Sequence, residues 1–350
     1  MGNLNEMSPW NQLARCVVNS DFSVAYYLDK DNSNFKADGT SVNWSEVESS
    51  GQNVMVQIPK SYSCKKQISS DFVFGVSAQP IETDTILEND WEIDYAFYRD
   101  RTKMCDDTSA NPVEVDYRYI GAFHGWMDGS GRLRSLPNKS PRVDITLGNA
   151  RNAAKAMGAG WCQLDYYLHR FMQMLYITEY GHPDGQTKIG RGFVDGNSAA
   201  IPTGGTLNRG NNTFGETTGK QQMSYRGVED WWGNVRSWLD GFFINSSGQI
   251  LVSNKGFNNT GSGYENVGSG TMGGGNIRTI KPSSKAGFVP QTTGASYETG
   301  GLYGYGGLFA GRLANVGPHW SSGSSGGPFR VDGNRSASSS YSYLGLRLCG

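Results

Sequence analysis

The sequence predicts a mixed α+β protein: a β-rich segment over about 1–125, then a larger domain over about 126–350 with two helices among irregular strands. Three observations predict it. Short β-prone runs separated by turn residues fill the first segment, and no helical period is found before residue 145. Two capped helical segments follow. The chain then ends on alternating leucines, Leu344, Leu346 and Leu348, the pattern of a half-buried strand. Composition agrees. The chain has 48 Gly and 12% aromatic residues but only 18% charged ones, which suits a loop-rich folded protein and opposes disorder. At 350 residues it is long enough for two domains, or one large domain with insertions, and for a core that needs neither metal nor disulfide.

The elements can be justified in order. Cys16-Val17-Val18 and Val24–Leu28 are β-prone, and Asn19-Ser20-Asp21 between them supplies the turn of a hairpin. Val54–Ile58 alternates and stops at Pro59; Phe72–Val76 and Tyr117–Phe123 are further runs. Residues 82–112 carry most of the local acidic charge and read as a surface loop with one short strand. Thr146 can cap a helix over Leu147–Met157, with Gly158 placed for a left-handed terminus. Leu164, Tyr167, Leu168, Phe171, Leu175 and Thr178 recur at helical spacing through Tyr180, and Gly181 and Pro183 end that helix. Residues 190–230 are polar and Gly/Asn/Thr-rich and lead into the aromatic block Trp231–Asp240, read as core around a Gly-Asn turn. A Gly/Asn-rich insertion of short hairpins is expected at about 245–300.

Several function classes are excluded or disfavoured. Thirty-one Lys+Arg against 32 Asp+Glu leave net charge −1, so there is no basic excess to drive nucleic-acid binding. No apolar run reaches the roughly 20 residues that span a bilayer, and the N-terminus lacks the basic and apolar regions of a secretory signal. Cys16, Cys64, Cys105, Cys162 and Cys349 are odd in number and widely spaced, which argues for reduced thiols folded in a cytoplasm and against a disulfide framework or CxxC site. His124, His169, His182 and His319 show no metal-ligand spacing, so neither metal nor cofactor is expected. No Gly-x-Ser-x-Gly elbow, Walker loop or dinucleotide fingerprint stands in a strand–helix context. The pairs Glu229/Asp230 and Asp106/Asp107 are sequence neighbours that point apart, poorly placed for acid–base work, and read as solvated surface charge. Cys162, beside Trp161 at a helix start, reads as a buried structural thiol; a lowered pKa would require it to sit on the helix N-terminus. The chain is therefore expected not to be an enzyme.

The segment from His319 to Tyr343 holds nine Ser and four Gly in 25 residues, the composition of a flexible tail. Trp320, Phe329, Tyr341, Tyr343 and the leucines after them contradict that reading and predict a folded, displayed segment pinned by a buried terminal strand. In that strand, Tyr343, Gly345 and Arg347 would face away from the leucines. Period two likewise places Ser339, Tyr341 and Tyr343 on one outward face.

Tyr225–Trp238, with Gly233-Asn234-Val235 at its centre, resembles the GNVWEW-type signature of the formylglycine-generating-enzyme branch of the C-type lectin fold. Gly158–Leu164 and the helix after it resemble that branch's upstream Gly-Trp turn. Trp320–Phe329, Ser338–Tyr343 and Leu344–Leu348 resemble the variable region of proteins diversified by retroelements, here about 302–343. In such systems an Asn-rich template is copied with changes at adenines. Ser, Tyr, His, Arg, Asp and Gly codons all arise from Asn codons that way, and Asn334 keeps the template residue. The runs near Cys16, Tyr26, Val54 and Tyr119 are similar to those that precede lectin-like domains in gut-phage structural proteins.

The resemblance implies a lectin-like scaffold displaying a mutable binding surface. Its expected contacts are His319, Ser321, Ser322, Ser324, Arg330, Asp332, Arg335, Ser339, Tyr341 and Tyr343, with Trp320 and Phe329 as anchors. Tyr, Ser and Gly also dominate antibody paratopes, because Tyr supplies contact area at low entropic cost. The implied role is phage attachment through a host-cell surface protein or glycan, on a virion tail with other tail proteins and as a homotrimer. The alternatives are a diversified binding protein in the bacterial cytoplasm or on the cell surface and, ranked below it, an enzyme of the formylglycine-generating type that has lost its usual thiols. The cysteine pair of the formylglycine-generating enzymes is not matched, since Cys349 stands alone at the C-terminus, and the calcium-binding triplets of lectins are absent.

Overall fold

The computed structural model describes residues 4–81, 90–270, 273–295 and 302–350, with side chains of 302 and 303 excepted. Residues 82–89 of the expected acidic loop, and 271–272 and 296–300 of the expected insertion, lie outside the described residues. The architecture is mixed α+β and mostly strand.

A six-stranded sheet runs in the order Cys162–Gln163, Leu348–Cys349, Tyr117–Gly121, Asn53–Pro59, Ala14–Val18, Val24–Tyr27. The predicted hairpin is its outer edge, closed by Asn19 N donating to Ser23 O at 2.9 Å. Asn53–Pro59 is buried along its whole length, because it is central and covered on both faces. The last strand of the chain thus completes a sheet begun near the N-terminus, and the boundary expected at residue 125 falls between strands of one sheet.

A second sheet has nine strands. Its path is Glu265–Ser269, Gln249–Val252, Arg236–Ile244, Arg312–Val316, Val331–Arg335, Leu302–Leu308, Gly273–Ile280 and Pro290–Gly294, with Leu344–Gly345 added in parallel to Arg236–Ile244. The described part of the insertion therefore forms the two ends of this sheet.

The helix Tyr166–Tyr180 packs among these layers, and every residue from Tyr166 to Ile177 is buried. Asp165 caps it by accepting from Leu168 N at 2.9 Å, and Gly181 ends it at φ +58°. Phe97 meets Phe171 edge-on at 5.0 Å from one side, and Trp232 and Phe329 meet Tyr176 from another. The Leu147–Lys155 helix is capped by Thr146 Oγ1, which accepts from Asn149 N at 3.3 Å.

Three expectations are corrected. A short helix, Trp44–Ser49, capped by Asn43, lies ahead of residue 145; at six residues it is too short to show a period. The 90–112 segment is not merely a surface loop, since Asp94, Ala96, Phe97 and Arg99 are buried and tie it to the central helix. Arg347 is not outward-facing. It is buried, and its guanidinium donates to the backbone oxygens of Gly121, Glu229 and Asp230 at 2.8–2.9 Å.

Candidate functional site

The candidate site is assembled from three stretches that adjoin the nine-stranded sheet. The floor is the aromatic block. Gly233 and Asn234 turn at φ +97° and +62°, and Asn234 fixes the turn by donating to Ile201 O and Asp230 Oδ2. Trp232 and Trp238 are fully buried, and Trp238 Nε1 donates to Ile145 O at 2.8 Å. Trp320 N donates to Asn234 O at 2.9 Å, which hangs the 319–325 loop on this turn.

Within that loop, His319 N donates to Ser322 Oγ at 2.9 Å and Ser322 N donates back to His319 O at 3.0 Å. Ser321 and Ser324 are exposed, and Ser322 is half-buried. The loop's last turn, Gly323–Ser325, is held by Ser325 Oγ donating to Ser322 O and by Arg330 Nη1 donating to Ser325.

The Val331–Arg335 strand supplies the second stretch. Asn315 pairs with Asp332 but Leu313 pairs with Arg335, so this strand carries one extra residue, a β-bulge. The bulge turns Arg335 to the side of Asp332, and the two side chains approach to 3.6 Å. Asp332 Oδ2 also accepts from Arg236 Nη1 at 2.8 Å.

The third stretch, 336–343, is a pair of turns and not the expected strand. Ser339 is half-buried, with its Oγ accepting from Ser336 N at 3.0 Å. Tyr341 O accepts from Leu344 N and Asp144 N, and Tyr343 O accepts from Arg236 N. These bonds still bring the two rings together: Tyr341 and Tyr343 stack at 5.2 Å and 9°. His319 extends the stack, 4.6 Å from Tyr343 at 22°. The Arg335 guanidinium lies 4.7 Å from the Tyr341 ring, and that of Arg236 lies 5.3 Å from Tyr343.

The structure therefore gathers His319, Asp332, Arg335, Tyr341 and Tyr343 into one patch. It does not expose all ten expected contacts. Arg330 and Asp332 are buried, because each is consumed by internal partners, Ser325 and the Tyr305 ring for one and Arg236 for the other. Phe329 is fully buried as an anchor, and Trp320 is half-buried against His319. Sequence reasoning missed Arg236. The available signal was a cation embedded in an aromatic block otherwise assigned to the core, where burial demands an opposite charge.

Burial, reinforced by Arg236, Arg330 and Arg335, brings the His319 pKa down to about 3, so its ring is neutral near pH 7. The guanidinium groups of Arg236, Arg330 and Arg335 then stand about a neutral ring, with Asp332 paired to Arg236.

Two other clusters bear titratable groups. Cys162 lies in a short strand, not at a helix N-terminus, and its sulfur accepts from Arg99 Nη2. Burial pushes this thiol up, but hydrogen bonds from Cys105 and Cys349 and the Arg99 charge outweigh it and hold Cys162 well below the usual thiol range. Glu229 and Asp230 are not the expected solvated pair: both are buried and both accept from Gln222 Nε2, at 3.1 and 2.6 Å, and burial and the Glu229 carboxylate push Asp230 up to about 8. All five cysteines are buried and free, and among the described residues no group of three or more His, Cys, Asp or Glu side chains is arranged to hold a metal ion. Two small cavities, of about 120 and 180 Å³, are lined by residues around Ser63–Lys65 and around Trp44 and Leu136–Lys139, away from the patch. No described helix is long and apolar enough to cross a membrane.

No family model matches the sequence, and no curated protein matches it. Among solved structures, PvdO from Pseudomonas aeruginosa aligns with TM-score 0.34 at 11% identity, covering 85% of this chain and 94% of its own. The Major Tropism Determinant P3c variant aligns with TM-score 0.30 at 12% identity, covering 83% and 71%. The U1 variant of the same protein gives 0.29, 14%, 83% and 72%. Likeness at this level carries no functional argument, so the reading rests on the patch.

Proposed function

We propose that this chain is a diversified ligand-binding protein that displays a mutable surface on a C-type lectin-like scaffold for phage attachment to a host cell. One observation carries the reading. Residues of the Ser/Tyr-rich segment that have the template-derived residue types, His319, Arg335, Tyr341 and Tyr343, form one patch, while Phe329, Leu344, Leu346, Arg347 and Leu348 are buried in the fold. Side chains that can change without unfolding the protein, set over side chains that cannot, are what a diversified surface requires.

In this reading the chain is not an enzyme and needs no cofactor or metal. Its partners are a host-surface molecule and neighbouring proteins of a virion tail, and it acts as a homotrimer. Each site is modest in affinity, and many copies on one particle raise avidity by about 10²–10⁴.

Two tests address it. The DNA following the codons for 302–343 is sequenced for a near-identical copy that differs where the copy has adenine, beside a reverse-transcriptase gene. Its presence is expected. Separately, the chain is bound to host cells; equal binding by the wild type and the Tyr341→Ala/Tyr343→Ala variant overturns the assignment of this surface.

A further inference from the structure

Resting on the reading above, we infer that the patch recognises an acidic sugar, a carboxylate-bearing pyranose of a surface polysaccharide, laid on the aromatic stack with its carboxylate on Arg335.

The first argument is charge. The charges of Arg236, Arg330 and Arg335 act on His319, Arg236 and Arg335 lie at the Tyr343 ring, and Asp332 stands between these two arginines. Asp332 is committed to Arg236 at 2.8 Å and stands 3.6 Å from Arg335, too far for a hydrogen bond. Arg335 thus keeps donor capacity on its Nη groups, since its side chain is 13% exposed although its Nε is buried. The whole chain carries net charge −1, so this positive surplus belongs to the patch and not to the protein at large. Guanidinium and carboxylate match as planar forks, which makes a carboxylate the fitting anion.

The second argument is shape. Tyr341 and Tyr343 stack within 9° of parallel and His319 stacks on Tyr343, so Tyr341, 38% exposed, offers the outer face of the stack. A flat ring face suits a flat ligand better than a protruding side chain. The face of a pyranose presents C–H groups with slight positive charge, complementary to the negative face of an aromatic ring. The exposed hydroxyls of Ser321 and Ser324, in the loop of His319, both donate and accept, as ring hydroxyls require.

The test applies the full chain to an array of uronate- and sialate-bearing oligosaccharides and to the same sugars with each carboxyl reduced to an alcohol. The expected result is binding to one or more acidic sugars, lost at least tenfold on reduction and weakened by raised salt. Arg335→Ala and Tyr341→Ala, each shown by its melting curve to be folded, lose at least tenfold, and Arg335→Lys recovers part of the loss. Equal binding to acidic and reduced sugars, binding to neutral sugars alone, or no binding to the array overturns the inference. A chain that ignores acidic sugars yet holds host cells through Tyr341 and Tyr343, as in the capture of a surface protein, leaves the proposed function standing. Host binding indifferent to both tyrosines overturns the function instead.

Discussion

Arg236 donates to Asp332 at 2.8 Å, joining the aromatic block to the Ser/Tyr-rich segment across 96 positions of sequence. Both side chains are buried, and the same arginine places its guanidinium 5.3 Å from the Tyr343 ring. The patch is therefore held from below by a charge pair.

Breaking that pair from one side strands the other charge. Arg236→Ala or Asp332→Ala is expected to cost about 3–5 kcal/mol, and the double variant Arg236→Met/Asp332→Leu less than the sum of the two. Chemical denaturation of the three variants measures it. Additive costs would show that the pair does not act as a unit.

Tyr341 and Tyr343 differ in burial, and their substitutions should separate binding from stability. Tyr341→Ala is expected to change stability by no more than about 0.5 kcal/mol, as for exposed positions. Tyr343→Ala should cost more, because that ring stacks on both His319 and Tyr341. Melting curves and host-cell binding on the same preparations decide the comparison.

The C-terminal run is structural. Leu344, Leu346 and Leu348 have no exposed surface, and Leu346→Ala is expected to cost about 2–5 kcal/mol. Arg347→Met removes the donors to Gly121, Glu229 and Asp230 and should cost about 3 kcal/mol or more. Urea unfolding of each variant is the measurement; midpoints equal to that of the wild type contradict the assignment.

Cys162 tests the absence of thiol chemistry. Its sulfur is held low by its partners, but it is fully buried, so a maleimide at neutral pH should leave the folded protein unlabelled and label all five cysteines in urea. Rapid labelling of Cys162 in the native state would reopen an enzymatic role.

Two buried groups should tilt stability with pH in opposite directions. Asp230 has a folded pKa of about 8 against its ordinary 3.8, so the folded state binds this proton more tightly. Its contribution is complete below 3.8 and is lost as pH rises towards 8, with a slope of at most about 1.4 kcal/mol per pH unit. Burial, then the Arg347 charge, brings His169 down to about 3 from 6.5, so the unfolded chain takes up that proton first and stability falls as pH drops from 6.5 towards 3. Denaturation from pH 4 to 9 should show Asp230→Asn losing less stability than the wild type as pH rises from about 4 to 8, and His169→Gln losing less as pH drops from 6.5 to 4.

Local chemistry determined much of this protein without any tertiary knowledge. Asn19–Asp21 marked the first hairpin, Thr146 and Gly181 bounded helices, and the alternating leucines marked a buried terminus, because turn, cap and period signals act between near neighbours in sequence. Tyr341, Tyr343 and His319 were legible as candidate site residues by type. What joins them was not. The bulge that aims Arg335 depends on pairing with Arg312–Val316, the tyrosine stack arises from turns tied to Asp144 and Arg236, and Arg330 and Asp332 are drawn inward by partners the sequence does not name. Burying a charge requires an opposite charge or a donor set nearby, and the fold alone decides which distant residue supplies it.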